Sequence, residues 1–180
     1  MKILETERLI LCEQRQDDAV FILALLNSPG WLKYIGDRGV KTVADAGNYI
    51  LNGAMKSYKE NGFGLYLAKL KDGNIPVGVC GLIKRPGLEQ VDIGFAFLPE
   101  HEGRGYGFES ASAVMKYGRE ILGLKVMVAI TTKDNEPSIK LLNKIGFSLK
   151  ETVTLPGDKE ELLLFESVGY ENHNSSLDIL

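Results

Sequence analysis

Between positions 98 and 109 the chain concentrates groups suited to holding an anion: Leu98-Pro99-Glu100-His101-Glu102-Gly103-Arg104-Gly105-Tyr106-Gly107-Phe108-Glu109. Gly103, Gly105 and Gly107 alternate along it, so backbone can approach a ligand with no side chain intervening. An apolar, strand-like run over residues 91–98 precedes the glycines, and helical periodicity from about Phe108 to Leu122 follows. The first amides of such a helix lack partners within it and carry the positive end of its dipole. Strand, glycine turn and helix start together predict an anion site suited to phosphate.

Three uses compete for that stretch. A dinucleotide fold needs GxGxxG after its first strand and an acidic residue ~20 positions on, whereas these glycines alternate and come late in the chain. A Walker loop needs Gly-Lys-Ser/Thr, and no lysine is present here. The third use is a glycine-rich turn that holds nothing.

The whole chain sets the outer bounds. Its 180 residues fit one domain able to bury roughly two-thirds of its unfolded surface. A net charge of −3 argues against a nucleic-acid partner, which needs clustered Lys and Arg, but not against a small anionic ligand. Cys12 and Cys80 are isolated, with no Cys/His cluster, so neither a disulfide framework nor a metal site is supported. The N-terminus lacks a signal peptide's apolar core and no run approaches ~18 apolar residues, so a cytoplasmic protein with no membrane partner is expected.

The elements that must position the glycine stretch read as follows. Residues 8–13 form a first strand after the polar Glu5-Thr6-Glu7, and Asp17 and Asp18 open a helix closed by Asn27-Ser28-Pro29. Residues 30–41, with Trp31, Tyr34 and Ile35, are either a short helix or a connecting loop, covering the core or lying near a cleft. Thr42-Val43-Ala44-Asp45 caps a helix running to about Glu60, with Tyr49, Ile50, Met55 and Tyr58 as its apolar stripe. Strands over 63–70, 76–83 and 91–98 make an antiparallel meander, the first two joined at the Asp72-Gly73 turn. Beyond the glycine helix, residues 125–132 are the clearest buried strand, placed beside 91–98 by a right-handed crossover. Asp134 or Asn135 caps a helix with Ile139, Leu142 and Ile145 inward, and 147–155 with 160–166 form a closing hairpin. The prediction is an α/β (α+β) mixed sheet of six or seven strands with helices on both faces, one domain over 1–168, and a loose tail from Gly169.

The segment from Leu98 to Ala111 resembles the acetyl-CoA pyrophosphate loop of the GNAT N-acetyltransferase superfamily, in particular the branch containing the N-terminal acetyltransferases of ribosomal proteins. A second likeness follows at the family's spacing, Thr131-Thr132-Lys133-Asp134-Asn135-Glu136-Pro137-Ser138-Ile139-Lys140-Leu141-Leu142-Asn143-Lys144-Ile145-Gly146-Phe147. The opening Glu5-Thr6-Glu7-Arg8-Leu9-Ile10-Leu11 and Asp92-Ile93-Gly94-Phe95 are also similar to that branch, so the likeness covers nearly the whole chain in order. It implies a mostly antiparallel sheet whose central parallel pair is splayed at a β-bulge. It also implies acetyl-CoA as acyl donor, an amine acceptor (a protein N-terminus or a small molecule), no metal, and a monomer or homodimer. Residues between Trp31 and Tyr58 would line the acceptor side.

By that resemblance, amides of Glu102, Gly103, Arg104, Gly105, Tyr106 and Gly107 would hold the pyrophosphate of coenzyme A, with the Arg104 side chain either adding a charge contact or simply solvated. Backbone around Phe95, Phe97 and Leu98 would pair with the pantetheine amides, an amide near Phe97 polarising the thioester carbonyl. Asn135 would hold the pantetheine arm. Glu102 occupies a position where the wider family has Gln or Arg, and a carboxylate there does not help bind pyrophosphate. Many members protonate the departing thiolate from a tyrosine; the corresponding position here is Leu142, and Ser138 is the replacement this branch offers. Asp92 matches a glutamate position and would accept the amine proton directly or through water, or else is a solvent-facing strand residue. Glu100 and His101 are nearby loop residues, and His173 in the tail has no role. The missing tyrosine leaves a second reading open, a non-catalytic acyl-CoA-binding or sensing protein on the same fold.

Overall fold

The computed structural model describes residues 1–167; the tail from Gly169, expected to be loose, lies outside the described residues. Eight strands make one sheet: β1 Lys2–Glu5, β2 Leu9–Glu13, β3 Leu65–Leu70, β4 Pro76–Ile83, β5 Val91–Phe97, β6 Met127–Thr131, β7 Phe147–Val153 and β8 Leu162–Ser167. Their spatial order is β1-β2-β3-β4-β5-β6-β8-β7, and only β5 and β6 pair in parallel. The sequence pattern predicts one strand fewer at the N-terminus. With four residues, only Ile3 and Leu4 of them apolar, β1 leaves too short an alternation to read, yet it edges the sheet against β2.

The helices are α1 Ala19–Leu26, α2 Pro29–Tyr34, α3 Val43–Ile50, α4 Lys56–Asn61, α5 Tyr106–Glu120 and α6 Glu136–Lys144. They bury two cores on opposite faces of the sheet. Against one face, Ala111, Val114 and Met115 of α5 and Leu142 of α6 pack on Leu82, Ile93, Met127 and Ala129. Against the other, Ile22 and Leu25 of α1, Trp31 of α2 and Ile50 of α3 pack on Leu67 and Val79. Each fully buried Val, Leu, Ile or Met side chain among these contributes about 1.5–3 kcal/mol.

The single helix read over 42–60 is broken into α3 and α4 by a wide π-type turn, Leu51–Met55. Its start follows the capping logic: Thr42 accepts from the Asp45 amide at 3.1 Å while the Asp45 carboxylate accepts from the Thr42 amide at 2.9 Å. Beyond the π turn, Tyr58 stacks on Tyr66 with centroids 5.6 Å apart, and its hydroxyl donates to the Leu65 carbonyl. The contested segment 30–41 divides between α2 and an irregular connection.

One feature of the sheet organises the rest. β5 and β6 are matched only at Val91↔Met127 and Asp92↔Val128, and then part. The expected bulge does not mark this split. β5 stays in unbroken register with β4 from Ile83↔Asp92 to Gly78↔Phe97, and β6 stays in register with β8 along its other edge from Val128↔Glu166 to Thr131↔Leu163, so each arm follows its outer neighbour. The result is a V whose arms end, on the β5 side, at the glycine stretch and, on the β6 side, at Asn135.

Candidate active site

Among the described residues nothing pairs with the inner edge of the β5 arm beyond Asp92, and the register says which groups it presents. The Leu98 amide donates to Val77 on β4 at 3.0 Å. Alternation along a strand then turns the backbone groups of Asp92, Gly94 and Ala96 toward β4 as well, and those of Ile93, Phe95 and Phe97 toward the gap. Phe95 and Phe97 therefore offer N–H and C=O groups to a chain laid in the V. Leu98, grouped with them in the sequence reading, has already spent its amide on Val77.

Past Leu98 a single 3₁₀ turn, Pro99–His101, leads to the glycines. Gly103 has φ +70° and Gly105, the N-cap of α5, has φ +84°, left-handed values that other residues adopt only with strain. These two positions bend the chain so that it delivers the exposed Gly103, Arg104 and Gly105 to the helix start, with Tyr106 and Gly107 already in its first turn. A side chain on Gly107 would meet Leu141 at 3.1 Å and Phe97 at 3.7 Å, so the first turn of α5 sits tight against both arms of the V.

The loop is fastened by residues that the sequence reading did not single out. Glu109 of α5 accepts from Thr6 Oγ1 at 2.5 Å, from the Arg8 amide at 2.7 Å and from Arg8 Nε at 2.7 Å. Arg8 Nη1 also donates to the Arg104 carbonyl at 3.0 Å, and its guanidinium lies 4.7 Å from the Tyr106 ring centre. The clue was the opening Glu5-Thr6-Glu7-Arg8, but its partner stands 101 residues further on.

The remaining predicted residues fall around the V. Glu102 is exposed and turns its Oε1 toward the first turn of α2, 3.5 Å from where a side chain on Gly30 would begin. Arg104 extends into solvent. At the other arm, Asn135 caps α6, its Oδ1 accepting from the Ser138 amide at 3.2 Å. Among the described residues no hydrogen bond engages the half-buried Ser138 hydroxyl. Leu142, at the tyrosine position, is 1% exposed and belongs to the α5–α6 core. His101 is half-buried with Nδ1 unpartnered, and Glu100 is exposed.

Asp92 is not a solvated strand residue: it is 0% exposed. Its Oδ2 accepts from Arg85 Nε at 2.9 Å and Nη2 at 2.7 Å, while Oδ1 is buried without a hydrogen-bond partner among the described residues. Burial pushes its pKa up to about 6, against the pull of the Arg85 charge and of the nearby Ile130 amide. Arg85 was also missed. A carboxylate inside an apolar strand demands a cation, and the β4–β5 turn was the place to look.

On the second face of the sheet, α2 bridges the two loops. Gly30 approaches Glu102, Lys33 Nζ lies 3.7 Å from Asp134, and Trp31 is buried between α1 and α3 with Tyr49, Ala96 and Leu98 in the same cluster. The Tyr49 phenol is raised by burial, opposed by the charges of Arg38 and Arg85. This is the acceptor-side region that the resemblance assigned to residues 31–58. Among the described residues, no group of His, Cys, Asp and Glu gathers as a metal site would, and no helix is long and apolar enough to cross a membrane.

Comparison with known proteins bears on the same features. Residues 8–148 match the acetyltransferase (GNAT) domain family, a span that includes both arms of the V. An N-acetyltransferase of Bacillus subtilis (strain 168), YoaA, is 31% identical over 147 residues, 81% of this chain and 82% of its own. An acetyltransferase structure from Agrobacterium tumefaciens str. C58 superposes with a TM-score of 0.78 at 22% identity, covering 93% of this chain and 95% of that one. The structure of RimL, a ribosomal L7/L12 alpha-N-protein acetyltransferase in complex with coenzyme A, superposes at 0.79 and 16% identity, covering 93% and 98%. The open V, with a glycine loop on one arm and a capped helix on the other, thus has its explanation: the chain belongs to the GNAT family of N-acetyltransferases, which transfer the acetyl group of acetyl-CoA to an amine.

Proposed function

We propose that this enzyme acetylates a primary amine, on a protein N-terminus or a small molecule, by direct transfer within a ternary complex. The observation that carries the reading is the parting of β5 and β6 after Asp92 and Val128, with the glycine loop and Asn135 at the two open ends. Residues 102–107 hold the coenzyme A pyrophosphate with backbone amides and the α5 dipole. Phe95 and Phe97 pair with the pantetheine arm as an added strand, and Asn135 steadies it from the other side. The Phe97 amide donates to the thioester oxygen as negative charge develops there, an effect typically worth ~3 kcal/mol. Asp92 takes the proton of the incoming amine, and the Ser138 hydroxyl delivers one to the departing sulfur.

An N-terminal α-amine is favoured as acceptor over a polyamine. The acceptor side carries Arg38, Arg85 and Lys33, and its Asp92, Asp134 and Asp37 are each already paired to a cation, which weighs against a polycation even though Glu100 and Glu102 stay exposed nearby. RimL, with the same fold, is named for α-N-terminal acetylation of a ribosomal protein. We read residues 1–168 as one catalytic domain that acts in the cytoplasm as a monomer or homodimer, without a metal, nucleic acid or membrane.

The test pairs binding with turnover. Acetyl-CoA raises the melting temperature of the wild-type protein, and Gly105→Glu abolishes that rise by placing a carboxylate and a strained φ in the cradle. Thiol release is then followed across peptide N-termini, amino acids, aminoglycosides and polyamines. A wild-type protein with no thermal shift at millimolar acetyl-CoA would sink the cofactor assignment. Turnover on spermidine in preference to every peptide would sink the acceptor assignment.

A further inference from the structure

A carboxylate with no solvent exposure in the middle of a sheet is costly unless something holds it. Arginine and carboxylate usually meet fork to fork, two donors on two oxygens. At Asp92 both donors of Arg85 converge on one oxygen, Oδ2, and the other, Oδ1, is buried with no hydrogen-bond partner among the described residues. The location is as specific as the geometry. Asp92 sits at the last matched pair of β5 and β6, the crotch of the V, and strand alternation turns its side chain to the face shared with Ala96 and Leu98, where α1 to α3 pack.

We propose that Arg85 is the positioning residue for Asp92: reaching in from the β4–β5 turn, it locks Oδ2 and so reserves Oδ1 as the oxygen that takes the acceptor's proton. The inference rests on the reading of Asp92 as base. Among the described residues, the groups facing the carboxylate are Arg85 from that turn and the Ile130 amide from β6, and the Arg85 charge, with that of Arg38, also acts on the Tyr49 phenol of α3. In the step so assisted, Oδ1 takes one proton from the acceptor's ammonium group. The freed nitrogen lone pair forms the N–C bond to the acetyl carbon as the C–S bond breaks, its electron pair leaving on sulfur. The Ser138 hydroxyl gives its proton to that sulfur and is refilled by a second nitrogen proton, and Asp92 returns its proton to solvent, so one proton is released per turnover. Arg85 touches neither reactant. Its work is to keep a buried carboxylate ionised and correctly turned.

The experiment is a set of pH profiles of kcat/KM for wild type, Arg85→Gln, Arg85→Lys and Asp92→Asn, with the Asp92 carboxyl titrated by carbon-13 NMR in the first three. Removing the guanidinium leaves a buried carboxylate that keeps its proton, so in Arg85→Gln the acid limb and the NMR titration both move up by about one to three pH units. Arg85→Lys restores the charge without the two-donor fork; its acid limb returns toward wild type while kcat stays low. Asp92→Asn loses the limb. The acetyl-CoA thermal shift stays as in wild type for the Arg85 variants, because the cofactor loop is untouched. An unmoved NMR titration in Arg85→Gln overturns the proposal whatever turnover does, as does an unmoved acid limb beside an Asp92→Asn enzyme that has lost its own. An Asp92→Asn enzyme that keeps the limb overturns both this assignment and that of the base, and leaves acetyl transfer itself standing.

Discussion

Asp92 makes a prediction about folding that needs no substrate. Its carboxyl has a pKa of about 6 in the folded chain against an ordinary 3.8, raised by burial more than Arg85 lowers it. Two units at about 1.4 kcal/mol each correspond to about 3 kcal/mol of pH-dependent stability. Because the folded value is the higher one, that stability is fully present below the unfolded pKa and is lost as pH rises through about 6. From about pH 4.5 to about pH 7.5 the loss amounts to about 2 kcal/mol. Asp92→Asn has no such titration. Other carboxylates work in the opposite sense: hydrogen bonds and cations hold Asp37, Asp45, Asp134 and Glu161 low, so their contribution is lost as pH falls. They are shared by both proteins and cancel in the difference. Urea unfolding can be followed by the fluorescence of Trp31, the chain's single tryptophan and part of the buried core. The stability of wild type relative to Asp92→Asn should fall by about 2 kcal/mol across that pH range. Parallel stability curves would show that the folded carboxyl titrates normally, and a relative stability rising with pH would show that Arg85 outweighs burial.

Two further outcomes concern the arms of the V. Ser138→Ala should lower kcat by about 100-fold with little change in acetyl-CoA affinity, since the α6 cap uses the Ser138 amide and not its hydroxyl; unchanged turnover where chemistry limits the rate would remove Ser138 from the mechanism. Arg8→Ala should weaken coenzyme A binding by about three- to tenfold by loosening the glycine loop, measured calorimetrically. Arg8→Lys separates the causes: it should behave like alanine if the fork to Glu109 and Arg104 matters, and like wild type if charge alone does.

What the sequence disclosed about this site was mostly local. The glycine spacing, the Asn135 cap and the apolar run of β6 each act within a few residues, so their side chains and turn chemistry declare them. The crossover through α5 then sets β5 beside β6 by handedness alone. β1 stayed hidden because a short edge strand carries almost no alternation, and the π turn at Leu51–Met55 because one widened turn hardly disturbs a helical stripe.

The parts that stayed hidden share a physical cause, which is that they are pairings. Glu102 looked unfavourable as a member of the glycine loop, and only the fold shows its carboxylate turned toward α2. Glu109 looked like an ordinary first-turn acid until Thr6 and Arg8 closed on it from the other end of the chain. Asp92 could be read equally as a base or as a solvated strand residue, because exposure is decided by the helices that cover the sheet and not by β5 itself. Yet one half of that pairing was inferable. Once residues 91–98 are taken as a central strand, a carboxylate within them must be either neutral or matched. The antiparallel meander then makes the β4–β5 turn the nearest source of a cation. Following that demand for a partner would have narrowed the sequence to Lys84 or Arg85 of that turn, the second of which forms the ion pair on which the proposed proton chemistry turns.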